Sequence, residues 1–317
     1  MILALAGGVG GAKLAVGLAA RLPPERLGIV VNTGDDFVHH GLSISPDLDT
    51  VMYWLAGIND AGRGWGVADE TWAYMAALRQ AGKADWFQIG DRDLATHEYR
   101  TRRLAQGDTL SQATRLLCER LGVGHAIVPM SDRPVATIVH TGEGALAFQD
   151  YFVRRQCEPA VTAIGFEGVE NAAPSPGFAQ AMADPDLEAV VICPSNPLLS
   201  IEPILSLPGV REWLRHRRVP AIAVSPLVGG KAIKGPAAKI FAELGLDVSA
   251  AGIARHYRGL IDCLVVDEVD AATVPSIEAE GMRAAVTRTV MRSAADRAAL
   301  AGEVLDLAAR LGAGADA

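Results

Sequence analysis

The sequence lacks several features that would assign it to a function class at once. Its 317 residues include only four cysteines, with no CxxC pair, so a disulfide framework or a zinc site is not expected. No apolar run approaches the length of a membrane span, and the start MILALA has no basic region typical of a secretion signal. The net charge of −8 argues against a general grip on nucleic acid. We therefore expect a soluble, cytoplasmic protein that binds neither nucleic acid nor membranes.

Short apolar runs alternate with helical patterns along the chain. The runs are rich in Val and Ile and do not alternate with polar residues, which is typical of strands buried on both faces. Helical spacing follows at residues 12–22 and 235–245. Such alternation predicts an α/β fold with a mostly parallel sheet. The predicted strands are residues 2–6, 27–32, 125–130, 188–194, 220–226 and 263–267.

The segment from about residue 50 to 122 differs from the rest. It holds four of the five tryptophans and two stretches with helical spacing, ETWAYMAALRQAG and TLSQATRLLCERLG. We interpret it as a helical insertion within a single domain that spans residues 1–317. Residues 135–153 predict a hairpin around TGEG, and residues 291–311 predict a last helix packed on the core.

The stretch LALAGGVGGAKLAVG, residues 3–17, places four glycines between a predicted strand and a predicted helix. Glycines there let the backbone and the helix N-terminus approach an anion closely. The dinucleotide fingerprint GxGxxG fails because Lys13 stands at its third glycine. The Walker loop fails because Ala12 and Leu14 replace its second glycine and its hydroxyl residue. The loop predicts contact with a phosphate, and a tight turn with a solvated lysine stays the alternative.

Four carboxylates, Asp35, Asp36, Asp47 and Asp49, follow the second predicted strand within fifteen residues. Mg²⁺ prefers a few carboxylate oxygens together with water and substrate phosphate, so the pattern predicts a magnesium site. Acidic residues in turns and at helix starts are the alternative interpretation. A second charged stretch, IGDRDLATH at residues 89–97, predicts either a capped helix start or the lining of a polar pocket.

Two further loops follow predicted strands. CPSNP offers the hydrogen-bonding side chains of Ser195 and Asn196, and VSPLVGGK offers Ser225, Gly230 and Lys231. In a parallel sheet these loops lie at the same edge as the glycine loop. No GxSxG or HExxH motif supports covalent or zinc catalysis. The sequence therefore favours binding of a nucleotide or phosphate together with a metal.

In this order, GGVGGAKL, NTGDDF, SPDLDTVMYW, RGWG, IGDRDLATH, PMSDRPVAT, PSNPLLSIEPILSLPG and SPLVGGKAIKGPA resemble the 2-phospho-L-lactate transferase family of coenzyme F420 biosynthesis. The matching blocks span residues 2 to about 268. The resemblance implies a Rossmann-like fold, a homodimer and a magnesium-dependent reaction. The family transfers a phospho-lactyl group, or a phosphoenolpyruvyl group in bacteria, from a guanosine diphosphate-activated acid to the deazaflavin Fo and releases GMP.

On this interpretation each motif acquires an expected role. Asp35 and Asp49 are the expected catalytic residues, and with Asp47 the expected metal ligands. The expected deazaflavin contacts are Asp49, Gln88, Asp36 and Asp91. The expected nucleotide contacts are Gly8, Gly10, Gly11, Lys13, Ser195, Asn196, Ser225, Gly230 and Lys231.

Two alternatives compete with the transferase interpretation. A related regulatory family with a similar glycine loop binds sugar nucleotides without catalysis, but it does not need SPDLDTVMYW together with IGDRDLATH. An NAD(P)-dependent dehydrogenase needs the third fingerprint glycine and an acidic residue closing the second strand, where this chain has Asn32.

Overall fold

A computed structural model describes residues 1–233 and 235–313, so Lys234 in the predicted nucleotide loop lies outside it. The strands in these ranges are β1 (Ile2–Ala6), β2 (Leu27–Val31), β3 (Phe37–His39), β4 (Leu42–Ile44), β5 (Ala126–Pro129), β6 (Ala136–Thr141), β7 (Gly144–Ala147), β8 (Val161–Glu167), β9 (Ala189–Ile192), β10 (Ala221–Val224), β11 (Leu227–Val228), β12 (Lys231–Ala232), β13 (Cys263–Asp267) and β14 (Arg283–Thr287).

Helices alternate with these strands through most of the described chain. They are α1 (Gly8–Ala19), α2 (Pro46–Ala56), α3 (Ala73–Gln80), α4 (Asp91–Ala105), α5 (Leu110–Arg120), α6 (Pro176–Met182), α7 (Glu202–Leu205), α8 (Val210–His216), α9 (Ala237–Glu243), α10 (Ala250–His256), α11 (Val274–Glu278) and α12 (Ala294–Ala313). Within the described ranges, none of them is both long and apolar enough to cross a membrane.

Seven parallel strands form the main sheet, in the order β14-β13-β10-β9-β1-β2-β5. The predicted α/β fold with a mostly parallel sheet is confirmed, and each of the six predicted strands is present. The strand β14 was not predicted, because its sequence RAAVT carries only one bulky apolar residue and lies at the sheet edge, where the burial pattern is weak. In this order β1 has β2 on one side and β9 on the other, so the chain first extends the sheet in one direction and later in the opposite direction.

Side chains from the two faces of the sheet enter two separate cores. Along β1, Leu3 and Leu5 point into one core with α6 to α11, whereas Ile2, Ala4 and Ala6 point into the other with α1, α2, α5 and α12. Successive residues of a strand face opposite sides, so apolar residues are needed at every position. This double burial explains why the strand sequences do not alternate.

The part of the chain predicted as a helical insertion folds into α2, α3, α4 and α5. Of these, α2 packs in the same core as α1, while α3 and the start of α4 enclose a small third cluster that includes Ile44, Met75 and Ile89. The helices in this segment are confirmed, and its status as an insertion in a single domain stays a prediction. The predicted hairpin at 135–153 is also present, as β6 paired with β7, with β8 added on the other edge of β6.

Candidate functional site

One cleft of about 880 Å³ opens at the carboxyl ends of β1, β2, β9 and β10. In open α/β sheets, ligands bind at this edge, at the point where the connections that follow two neighbouring strands run to opposite sides of the sheet. Here that point lies between β1 and β9. The predicted site residues that line the cleft are Gly8, Gly10, Lys13, Asp35, Asp47, Asp49, Gln88, Ser195, Asn196 and Ser225.

The glycine turn is packed against the loop after β9. A Cβ atom at Gly10 would lie 2.1 Å from the Pro194 carbonyl oxygen, and one at Gly11 would lie 2.6 Å from Ser195 Oγ. Ser195 Oγ also accepts a hydrogen bond from the Gly7 N–H (3.0 Å) and donates one to the Gly7 carbonyl (2.8 Å). Close packing of two loops therefore requires these glycines, and α1 begins at Gly8, earlier than the predicted residue 12. Gly11 does not line the cleft.

Asp35 and Asp47 share one amide donor at the floor of the cleft. Asn32 Nδ2 donates to Asp35 Oδ1 (2.8 Å) and to Asp47 Oδ2 (3.0 Å), and the Gly8 N–H also donates to Asp47. Burial raises the pKa of Asp47 to about 6. Burial, followed by the negative charges of Asp47 and Asp36, raises the pKa of Asp35 well above its usual value. Both of these hydrogen-bond donors, the Asn32 amide and the Gly8 N–H, are neutral.

Asp36, beside this pair, does not line the cleft. Ser45 Oγ donates to Asp36 Oδ2 at 2.6 Å, and Asp36 Oδ1 is buried with no hydrogen-bond partner among the described residues. Burial raises its pKa well above the usual value. Its predicted contact with the deazaflavin stays a prediction that this placement does not favour.

Asp49 has a very different environment. Both terminal nitrogens of the buried Arg100 donate to its carboxylate, Nη1 to Oδ2 at 3.1 Å and Nη2 to Oδ1. His97 Nδ1 lies 3.5 Å from Asp49 Oδ2, and His97 Nε2 lies 3.3 Å from Asp93 Oδ2. Asp93 in turn accepts a hydrogen bond from the Tyr53 hydroxyl (2.7 Å). Asp49 is therefore compensated by the chain itself.

The pKa shifts in this network follow from its contacts. Burial alone would raise the pKa of Asp93, but the charge and hydrogen bond of His97, helped by Tyr53 and Arg100, lower it. Burial and the charges of Asp93 and Asp49 raise the pKa of Tyr53 well above its usual value, so its hydroxyl keeps its proton and donates. All members except Arg100 line the cleft.

Two groups of side chains can hold a metal ion. Ligand atoms of Asp49, Asp93 and His97 lie within 4.8 Å of one another, but Arg100 already binds both oxygens of Asp49. Asp35 and Asp47 offer only oxygen, which suits Mg²⁺, and the hydrogen bonds that they accept come from neutral donors. A divalent cation fits the second pair better, and the predicted ligation by Asp49 stays a prediction.

The remaining predicted residues have varied positions. Lys13 Nζ donates to the Met291 carbonyl (3.0 Å), and Gln88 Nε2 donates to the Asp85 carbonyl (2.6 Å). Asp91 does not line the cleft; it accepts hydrogen bonds from the Ala73 and Tyr74 N–H groups (2.9 Å each) at the start of α3. Ser225 Oγ donates to the Leu227 carbonyl (3.0 Å) within its own turn.

Gly230 and Lys231 lie at the tight β11–β12 turn, also outside the cleft lining. Gly230 has a φ of +69°. Its conformation therefore explains this glycine without a ligand.

Several lining residues were not predicted from the sequence. Arg63 lies over the rings of Trp65 and Trp72, 5.2 and 5.0 Å from their centroids. Phe148 and Phe152 are stacked with centroids 5.3 Å apart. The segment 289–292, between β14 and α12, closes another side of the cleft. In the sequence, only the motif RGWG at residues 63–66 pointed to any of these residues, and it was noted solely as part of the family resemblance.

The chain matches a known family and named relatives over nearly its whole length. Residues 2–300 match the family model described as 2-phospho-L-lactate transferase CofD. The chain is 42% identical over 313 residues to a phosphoenolpyruvate transferase from Streptomyces griseus, covering 97% of this chain and 98% of the relative. It is 39% identical over 292 residues to a 2-phospho-L-lactate transferase from Methanosarcina mazei, covering 92% and 95%.

The fold is also similar to a solved structure. A protein of the UPF0052 family from Bacillus halodurans superposes with a TM-score of 0.62 at 14% identity, covering 96% of this chain and 98% of that one. This likeness concerns the fold alone. The family match over nearly the whole chain, together with the two relatives, identifies the chain as a member of the 2-phospho-L-lactate transferase CofD family, the transferases of coenzyme F420 biosynthesis.

Proposed function

We propose that the chain transfers a phospho-lactyl or phosphoenolpyruvyl group from a guanosine diphosphate-activated three-carbon acid to the deazaflavin Fo. The products are GMP and F420-0 or its dehydro form. The observation that carries this proposal is the cleft in which Asp35 and Asp47, which share the neutral amide donor of Asn32, lie beside the N-terminus of α1. Family membership supplies the reaction class.

In the proposed reaction, the terminal hydroxyl of the ribityl chain of Fo attacks the phosphorus that bears the three-carbon acid. A new P–O bond forms to Fo, the bond to the GMP phosphate breaks, and the hydroxyl proton passes to a carboxylate. Such transfers depend mainly on alignment and on charge neutralisation. Asp49, held in a fixed orientation in the cleft wall by Arg100, is our candidate for the group that orients the hydroxyl and accepts its proton.

Mg²⁺ is the proposed cofactor, and Asp35 and Asp47 would hold it. When bound, the ion would neutralise charge on the diphosphate. The N-terminus of α1 would add its partial positive charge to the same phosphates. Ser195 and Asn196 are used to order their own loop, through Gly7 and through the Leu198 and Leu199 N–H groups. We therefore assign them a shaping role in the nucleotide subsite.

The proposed enzyme is a homodimer located in the cytoplasm; the dimer is carried over from the family resemblance, and the location from the sequence features described above. A gel-filtration profile with light scattering tests the assembly state. A monomer at assay concentrations that retains full activity would remove the dimer from the proposal.

The test of the reaction is an incubation of the purified chain with Fo, Mg²⁺ and one activated acid at a time. Lactyl, enolpyruvyl and glyceryl donors are compared side by side, and GMP and the phosphodiester-linked deazaflavin are quantified together. We expect equal amounts of the two products with at least one donor. If no donor yields GMP while a sugar nucleotide binds tightly, the regulatory alternative replaces the transferase.

A further inference from the structure

In the wall of the cleft, α2 and α4 each carry a row of polar side chains, and the two rows contact each other. Asp93, His97 and Arg100 are spaced i, i+4 and i+7 on α4, so they share one face. Asp49 and Tyr53 are spaced i and i+4 on α2. The contacts run in sequence from Tyr53 to Asp93, His97, Asp49 and Arg100. The series of contacts therefore ends with the Asp49 carboxylate bound by the Arg100 guanidinium.

Arg100 is the most buried cation of these two rows, with 1% of its side chain exposed. Its two terminal nitrogens bind the two oxygens of Asp49, and Nη1 also reaches the Ser43 carbonyl at 3.3 Å. A planar guanidinium holds a carboxylate in a fixed orientation, which a lysine ammonium does not reproduce. These hydrogen bonds therefore fix the orientation of the Asp49 carboxylate and place a positive charge beside it.

This arrangement contrasts with that of Asp35 and Asp47, whose shared donor is the neutral amide of Asn32. A second cation at Asp49 would have to displace or share the two donors of Arg100. The carboxylates of this cleft thus fall into a pair, Asp35 and Asp47, that shares a neutral donor, and a single group, Asp49, that is bound by a guanidinium.

We propose that Arg100 is a positioning residue that serves Asp49 as a permanent cation, so that Asp49 acts on the acceptor hydroxyl without ligating the metal ion. The divalent cation is then confined to Asp35 and Asp47. This inference rests on the proposed function for its kinetic part, while its metal-binding part is independent of that function. It also explains why a nearly inaccessible arginine lies behind the cleft wall.

The first experiment compares Arg100→Lys with wild type and with Arg103→Lys. Arg103 lies on the same helix and pairs with Asp108 at the surface, which makes it a matched control. We expect Arg100→Lys to lower kcat about 100-fold through misplacement of Asp49, with KM values for both substrates within about 3-fold of wild type. Arg103→Lys should match wild type in all three constants. A kcat for Arg100→Lys close to that of wild type would overturn the proposal.

The second experiment measures Mn²⁺ binding to the protein without substrates, by electron paramagnetic resonance. We expect Asp47→Asn to weaken binding at least about 10-fold, and Asp49→Asn and Arg100→Lys to leave it unchanged. Weaker binding in Asp49→Asn, or tighter binding in Arg100→Lys, would show that Asp49 ligates the ion and that the proposal is wrong. The comparison of Asp47→Asn with Asp49→Asn shows whether Asp49 ligates the ion even if Arg100→Lys does not fold.

The two experiments separate failure of the inference from failure of the proposed function. If wild type makes no product with any donor, the transferase proposal fails, whereas the Mn²⁺ result still tests the assignment of the ion. If wild type is active and Arg100→Lys equals it, only the inference fails.

Discussion

The two groups of carboxylates in the cleft are handled by the fold in opposite ways. Asp35 and Asp47 are buried beside one amide; burial raises the pKa of both, and the charges of Asp47 and Asp36 add to the shift of Asp35. Asp49 is buried to a similar extent but is held by the guanidinium of Arg100. A buried charge is costly unless it is paired, and under the proposed function a bound divalent ion supplies the positive charge for the first pair. The single group needs none.

This difference has consequences for stability as well as for chemistry. Removing one partner of a buried ion pair leaves the other charge uncompensated, whereas neutralising one of two repelling carboxylates relieves the fold. Substitutions on the two sides should therefore change the free energy of unfolding in opposite directions. The following predictions test this contrast.

The largest effect is expected for Asp49→Ala. Turnover should fall by about 10²–10⁴-fold, because the proposed proton acceptor is lost. The free energy of unfolding should also fall by about 3–5 kcal/mol, because Arg100 is left buried without its partner. Kinetic assays and urea denaturation measure the two effects.

The control for this prediction is Asp108→Ala, which breaks the half-exposed pair with Arg103. It should cost no more than about 1 kcal/mol. Near-normal turnover in Asp49→Ala would remove Asp49 from the reaction, and an unchanged stability would show that the ion pair with Arg100 contributes little.

The next effect concerns Asp47→Asn and its dependence on pH. The folded-state pKa of about 6 exceeds the ordinary value of 3.8, so between these values the folded protein holds more protons than the unfolded chain. Wild-type stability therefore decreases as pH rises through this window, and Asp47→Asn lacks that decrease. In EDTA, the free energy of unfolding of the variant should therefore change less than that of wild type as the pH rises. At pH 7 the variant should be the more stable protein, by at most about 3 kcal/mol.

Two comparisons isolate this effect. His39, whose burial lowers its pKa to about 4, gives the opposite slope over the same range, but it does so in both proteins and cancels in the difference. Adding Mg²⁺ should stabilise wild type by mass action and stabilise Asp47→Asn much less. A pH-independent difference, or equal stabilisation by Mg²⁺, would contradict the assignment of Asp47. Thermal melts from pH 4 to 7, with and without Mg²⁺, supply all of these values.

The sequence was sufficient for most of the fold. Apolar runs such as CLVVD predicted β13 at the observed bounds, since a strand buried on both faces leaves a strong signal. The start of α1 was less predictable. Glycines have low helix propensity, yet the helix begins at Gly8, and its first turns hold Gly10, packed against Pro194, and Gly11, packed against Ser195. Tertiary contact thus overrides local preference there.

The candidate site was predictable only in part. The four aspartates could be found because they cluster in the sequence, but their partners could not. Arg100 is 51 residues from Asp49, and a single sequence gives no sign of that pairing. The spacing of Asp93, His97 and Arg100 does indicate one polar helix face, and it was the available signal for the second group.

The smallest effect is expected at Gln88, which tests how far the acceptor subsite extends beyond Asp49. Gln88 lines the cleft half-buried, with its Nε2 donating to the Asp85 carbonyl. If its amide also contacts Fo, Gln88→Ala should lose about one hydrogen bond, which corresponds to a KM for Fo raised about 5-fold. The kcat should stay within about 2-fold, because Asp49 and Arg100 are untouched. The exposed Gln80→Ala at the end of α3 is the matched control. A change in kcat without a change in KM would instead place Gln88 with the reacting groups, on the same side of the cleft as Asp49.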